Sequence, residues 1–428
     1  MNTGARPGES RAASRGERRA LLAAAAACFC LLGGYYVLRP IREALALEVG
    51  VRNNFELFLM VLAASCVMLP IYWWLVARTP RTRLLWLVNV AFAVVFIALA
   101  CALAARPHNR VLAATYFVTL TTSNLLLIAV FWSAMSDVWR PELAKRFYGY
   151  VAAGGSLGAI VGNLLVRGLV IERGLPPLIV GACIGILLSA ALVSHARAVL
   201  RDCAGGRAVP DGAIAVGGRA LDDLRRLCTS PYLLGIAGII IIGQTIGAFM
   251  YNEQGKYIAS LFPSAEERAA MFANLEIAVS VLALFFQAVI VSWLTRRGSV
   301  ALSLSAMPAL VGASFVLLAL VPAGAVLLVT QVIRRAADYG LGKPPREMLF
   351  TVLNPESKFK SKSLIDTVLQ RGSDVGGQAV YKLVEGAGVI GMSWICVALC
   401  VGLLFSTRTL GRAFETRRVQ AGEAPAAP

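Results

Sequence analysis

The sequence predicts an all-α membrane protein of twelve transmembrane helices arranged as two six-helix bundles. Three observations carry that expectation. Hydrophobic residues make up 58% of the 428 and charged residues only 15%, with a mean hydropathy of +0.70, well outside the composition of ordinary water-soluble domains. The apolar residues gather into long runs such as Arg19 to Leu38 and Leu84 to Ala104, and about 20 of them at a 1.5 Å rise cross a hydrocarbon core of about 30 Å. With the amino terminus inside, about 30 of the 41 Lys and Arg fall in cytoplasmic loops and about 10 in external ones.

In chain order, the breaks between apolar runs predict helices at 20–46, 55–77, 84–104, 111–135, 149–170, 177–195, 232–255, 269–294, 299–321, 323–342, 363–385 and 387–405. The chain thus divides into a basic tail (1–19), a first bundle (20–196), a connector (197–230), a second bundle (231–406) and a second tail (407–428). The run after the first tail lacks a small-residue cleavage site, because Gly33 and Gly34 lead into Tyr35, Tyr36 and a charged cluster, so it is expected to be a membrane helix rather than a removed signal. The connector is rich in Gly, Ala, Arg and Asp, as suits a flexible cytoplasmic link. Both termini are expected in the cytoplasm and the protein in a cell membrane, the bacterial inner membrane. The formal charge of +17 then reads as a topology signal and not as a nucleic-acid footprint.

The halves echo each other. Trp74 with Arg78, Arg81 and Arg83 is matched about 219 residues later by Trp293 with Arg296 and Arg297. Pro141, Glu142, Lys145, Arg146, Gly155 and Ser156 are matched by Pro355, Glu356, Lys358, Lys360, Gly372 and Ser373. Six plus six helices with a weak internal repeat suggest two bundles rocking about a central site. The nine cysteines lie mostly inside apolar runs without zinc or haem spacing, and His108 and His195 have no partners at metal or catalytic spacing. No enzyme signature, metal or cofactor is expected.

A charge at membrane depth costs several kcal/mol, so the charges this chain tolerates there are functional candidates. At the end of the first helix stand Tyr35, Tyr36, Arg39, Arg42 and Glu43. Arg39 and Arg42 share a face and offer two guanidinium forks to a phosphate or carboxylate, with Glu43 placed to hold Arg39 when no solute is bound; interfacial snorkelling is the structural alternative. In the tenth helix the clean apolar run Ala323 to Ile333 is too short to cross, which carries Arg334, Arg335, Asp338 and Tyr339 into the membrane, either lining an aqueous cavity or locking Arg to Asp. In the eleventh, Asp366, Gln370, Asp374, Gln378 and Lys382 recur every fourth residue, with Arg371 and Glu385 close to that stripe. Gly372, Gly376 and Gly377 there, like Gly154, Gly158 and Gly162 in the fifth helix, are expected to admit a neighbouring backbone. Tyr251, Asn252, Glu253 and Lys256 end the seventh helix, and Thr115, Thr119, Thr122 and Asn124 in the fourth offer groups that face a cavity or bond their own backbone.

Several stretches resemble the ATP/ADP translocase family of plastids and intracellular bacteria, and more closely its divergent bacterial relatives, labelled major-facilitator transporters. They are YYVLRPIREAL from Tyr35, FWSAMSD from Phe131, AKRFYGYVAAGGSLGAIVG from Ala144 and KPPREMLFTVLNPESKFKSKSLIDTVLQRGSDVGG from Lys343. The resemblance implies a major-facilitator-like fold that exchanges nucleotides or related organic anions by alternating access. The family's basic first-helix motif falls on Leu38, Arg39, Arg42 and Glu43. Where the translocases carry Lys, this chain has Asp338 and Asp374, and charges interact by about 4 kcal/mol at 4 Å and an effective dielectric near 20, so two reversals imply altered selectivity.

The leading expectation is a secondary transporter, working as a monomer in the bilayer, that binds an anionic small molecule, ATP and ADP among the candidates. The expected substrate-binding residues are Tyr35, Arg39, Arg42, Glu43, Asn124, Glu253, Lys256, Arg334, Arg335, Asp338, Arg371, Asp374, Gln378 and Lys382. The alternatives are a proton-coupled carrier of a non-nucleotide solute, a non-transporting membrane scaffold, and a membrane enzyme or lipid flippase.

Overall fold

The computed structural model describes residues 7–136, 139, 141–203, 230–291, 293, 300–350 and 369–420. Twelve long helices run through them, and no strand occurs among the described residues: α1 (Pro7–Val49), α2 (Asn54–Arg78), α3 (Arg81–Ala105), α4 (Arg110–Ser136), α5 (Pro141–Arg173), α6 (Leu175–Cys203), α7 (Pro231–Leu261), α8 (Ala265–Phe285), α9 (Val300–Leu320), α10 (Gly324–Ala337), α11 (Gln370–Val384) and α12 (Gly388–Gln420). Ten stretches of the described residues are long and apolar enough to cross a membrane, the last of them the run Gln370–Thr416 that contains α11 and most of α12. α10 is itself only 14 residues, and it continues through a π-helical segment, Asp338–Gly342, into a short helix, Lys343–Met348. α8 runs on likewise through a π-helical segment, Phe286–Val291.

Local chemistry explains where several helices begin and end. Asn109 caps α4, its Oδ1 accepting from the backbone N–H groups of Val111 and Leu112 at 2.9 and 3.1 Å. Ser264 and Glu267 form a reciprocal box at the start of α8: each side chain accepts from the other's backbone N–H, at 3.2 and 3.4 Å. Gly50 after α1 and Gly174 after α5 adopt φ of 101° and 75°, where a side chain would be strained. Pro40, Pro70 and Pro308 sit inside α1, α2 and α9, a tolerance usual for membrane helices.

The helices form two compact units, the first being Met1–Gly50, Ala63–Ile214 and Phe262–Asn274, the second Val51–Leu62, Ala215–Leu261 and Leu275–Pro428. In the first, α1 packs on α4, α5 and α6, and α3 on α4 and α6; in the second, α7 packs on α10, α11 and α12, and α9 on α10 and α12. Each of these pairings in one unit has its counterpart six helices later in the other. The first unit's core holds Leu38, Ile41 and Leu45 of α1 with Phe96, Tyr116, Phe117 and Phe131, and the second's is built round Phe249, Phe315, Leu318 and Cys396. Large apolar side chains also lie on the outside, among them Val67, Trp74, Val94, Trp394 and Phe405, an arrangement suited to lipid.

Glycines set the closest seam. A Cβ on Gly154, Gly158 or Gly162 of α5 would overlap the backbone carbonyl of Ala25, Phe29 or Gly33 of α1, so the two helices touch main chain to main chain. In α11 only Gly377 of the predicted trio does this, against Ala248 and the backbone of Gln244 in α7; Gly372 and Gly376 meet no described atom within 4 Å. This corrects the reading of all three as packing glycines. Residues on one helix point different ways, and only Gly377 faces the crossing.

Candidate functional site

α1 brings the first basic cluster to depth. Arg39 and Arg42 stand ten and seven residues before Val49, or about 10–15 Å into the helix at 1.5 Å per residue. Arg42 pairs with Glu43, which is 7% exposed, donates from Nη1 to the Thr121 hydroxyl of α4 at 3.3 Å, and lies 5.3 Å from the centroid of the Phe117 ring. Arg39 donates to the Tyr36 hydroxyl at 3.4 Å and stacks over that ring, while Tyr35 is buried edge-on against Tyr36. Glu43 thus engages Arg42, its neighbour in sequence. In α4 the hydroxyls of Thr115 and Thr122 donate to their own backbone, to the Val111 and Val118 carbonyls at 2.8 Å, which settles their alternative. The Asn124 Oδ1 is buried without a hydrogen-bond partner among the described residues.

The second unit holds the tenth-helix charges. Arg334 donates from Nε to Gln331 Oε1 at 2.9 Å and rests against Gly247 of α7. Arg335 Nη2 meets Glu276 Oε1 of α8 at 2.6 Å, and Glu276 is 2% exposed. A cavity of about 50 Å³ opens among α7, α9, α10 and α12, with Gln244, Arg334, Asp338, Arg346 and Thr407 as its polar lining. By volume it holds about three waters.

The predicted stripe on α11 faces α7 and the start of α2. Asp374 accepts from Gln244 Nε2 and from Arg371 Nη1, the latter at 3.4 Å. Gln378 accepts from Asn252 Nδ2 at 2.7 Å, and Asn252 Oδ1 accepts from Asn54 Nδ2 at 2.8 Å, a chain of three buried amides. Lys382 pairs with Glu56 at 2.6 Å, and Tyr381 donates to Glu253, which also pairs with Lys256 at 3.2 Å. Asp366 lies outside the described residues, as do Pro355, Glu356, Lys358 and Lys360 of the second echo. No group of three or more His, Cys, Asp or Glu among the described residues is arranged to hold a metal.

The site residues therefore fall into five groups: Tyr35, Arg39, Arg42 and Glu43 with α4; Arg334 and Asp338 at the cavity; Arg335 with Glu276 of α8; Arg371 and Asp374 with Gln244; and Gln378, Lys382, Glu253 and Lys256 at the far ends of α7 and α11. Sequence reasoning missed Glu276, Gln244 and Glu56. Glu276 carried a legible signal, a carboxylate eleven residues into a helix that is apolar from there on.

No protein family and no curated protein matches the sequence. Solved structures do resemble the fold. The nucleoside transporter NupG matches at 11% identity over 92% of this chain and 98% of its own, with a TM-score of 0.58. A POT family transporter in complex with 5-aminolevulinic acid matches at 13% identity over 92% and 96%, TM-score 0.62, and the peptide transporter POT in complex with sulfate at 15% over 92% and 95%, TM-score 0.63. At these identities the similarity is one of fold, and the chain has the major-facilitator-type architecture of multi-span membrane proteins.

Proposed function

We propose that the protein is a secondary transporter that moves an organic anion across the membrane by alternating access. One observation carries the reading: guanidinium groups stand deep inside both units, Arg39 and Arg42 in α1 and Arg334 and Arg335 in α10, where lipid offers them nothing and an anionic solute offers a bidentate partner. The fold supports it, since the solved structures that share it are transporters of nucleosides and peptides. The stretches resembling the ATP/ADP translocases make nucleotides the first anions to try, while Asp338 and Asp374 argue against tight binding of a polyphosphate. The carrier is further proposed to act as a monomer in the bacterial inner membrane with both termini cytoplasmic.

Uptake of labelled ATP and ADP into proteoliposomes, with and without a pH gradient, tests this. Saturable counterflow of a nucleotide is the expected outcome; counterflow absent for every nucleotide but present for another anion removes nucleotide exchange and keeps the carrier. A second reading, proton coupling, is favoured by the Asp338 carboxylate lining a water-sized cavity beside Arg334. Uptake driven by a pH gradient alone, and lost in Asp338→Asn, is its expected signature.

A further inference from the structure

The Arg335–Glu276 pair stands well inside both its helices. Arg335 is eleven residues past the start of α10 and Glu276 eleven past the start of α8, about 17 Å along each at 1.5 Å per residue, or near the middle of a 30 Å core. A carboxylate buried to 2% is costly to keep charged, and the Arg335 guanidinium at 2.6 Å offsets that cost. The two helices are held in register just beyond the pair. Their π-helical segments, Phe286–Val291 and Asp338–Gly342, meet each other, Gln287 Nε2 donates to the Tyr339 carbonyl at 3.1 Å, and Gly340 presses on Ala283 and Phe286. The side chains are thus presented to each other by a fixed backbone.

We propose that Glu276 is an internal stand-in for the solute: it occupies the Arg335 guanidinium in the empty carrier, and the acidic group of the solute, a carboxylate or phosphate, displaces it. The inference rests on the anion-transport reading above and adds to it a competitor built into the chain. Displacement takes the guanidinium from a buried carboxylate, so release of the solute is drawn forward by return of Glu276 to Arg335. Exchange of one anion for another then avoids the bare state that net uptake passes through.

The test uses the full chain in proteoliposomes and the arginine reagent phenylglyoxal, with modification of Arg335 followed by peptide mass spectrometry. Glutarate and inorganic phosphate serve as probes of the two acidic groups. In Glu276→Gln, Arg335 is expected to react about tenfold faster or more, since a charge-assisted contact is replaced by a neutral one, while Glu276→Asp reacts near the wild-type rate. Glutarate or phosphate is expected to protect Arg335 in Glu276→Gln at concentrations about tenfold below those the wild type needs. Protection by one probe alone identifies the acidic group. Equal reaction rates in wild type and Glu276→Gln, or equal protection in both, overturn the stand-in role. Uptake on the same vesicles separates the two claims: transport intact with equal protection overturns displacement only, whereas no transport and no protection in any variant overturns the carrier reading with it.

Discussion

Burial decides how much each polar residue is worth here. Asn252 is 1% exposed and links Asn54 to Gln378, so Asn252→Ala leaves a donor on one side and an acceptor on the other without a partner away from water. That variant is expected to lose about 1–3 kcal/mol, toward the lower end because membrane hydrogen bonds average less, and to melt at a lower temperature in detergent. Lys382 and Glu56 are only 2.6 Å apart, yet their side chains are 42% and 49% exposed. Lys382→Ala should cost about 0.5 kcal/mol or less, measured by the same melting curve. The residue types at the site were legible from the cost of charge in hydrocarbon, which drew attention to Arg39, Arg42, Arg334, Arg335 and Asp338. Their partners were not. Nothing in the spacing of Arg335 names Glu276, 59 positions earlier on another helix, because such a contact is made by packing and not by periodicity.

Among the elements, glycine ladders show the same limit more sharply. The trios on α5 and α11 look alike in sequence, but only the first lies wholly against another backbone. Gly158→Ala is expected to force α1 and α5 apart and cost about 1–3 kcal/mol, as overpacking does. Gly372→Ala, whose side chain would meet no described atom within 4 Å, is expected to be neutral or to stabilise by up to about 1 kcal/mol through helix propensity. Thermal melting of the two variants side by side checks both. The helices themselves were readable because most apolar runs are long enough to span, the tenth being the exception; every predicted helix overlaps one of the twelve described. The π-helical stretches of α8 and α10 were not readable, since one extra residue in a turn leaves no mark on composition.

For the whole molecule, the question is whether the buried charges serve solute movement or merely hold the helices together. Arg335→Gln takes the guanidinium away from the buried Glu276 carboxylate and is expected to destabilise by about 3–5 kcal/mol. Adding Glu276→Gln removes the buried charge as well and should restore most of the melting temperature. Under the carrier reading the double variant is stable and does not take up anion; uptake equal to wild type in that stable double variant would mean that the pair is structural glue. The all-helical, many-span architecture followed directly from hydropathy, and the solute did not, because its identity depends on the positions of a few charges that similar folds arrange differently.

The meeting of two π-helical segments decides what a deletion there would do. Taking one residue out of Asp338–Gly342 would tighten the wide turn to an ordinary α-helical one, and because that turn already holds an extra residue, everything beyond it would keep nearly its present facing. Lys343 and Arg346 would stay on their side of the helix, while the Tyr339 carbonyl would lose its seat under Gln287. A gene shortened by that one codon would therefore encode a chain whose polar groups still face as they do now but whose eighth and tenth helices have lost their clasp.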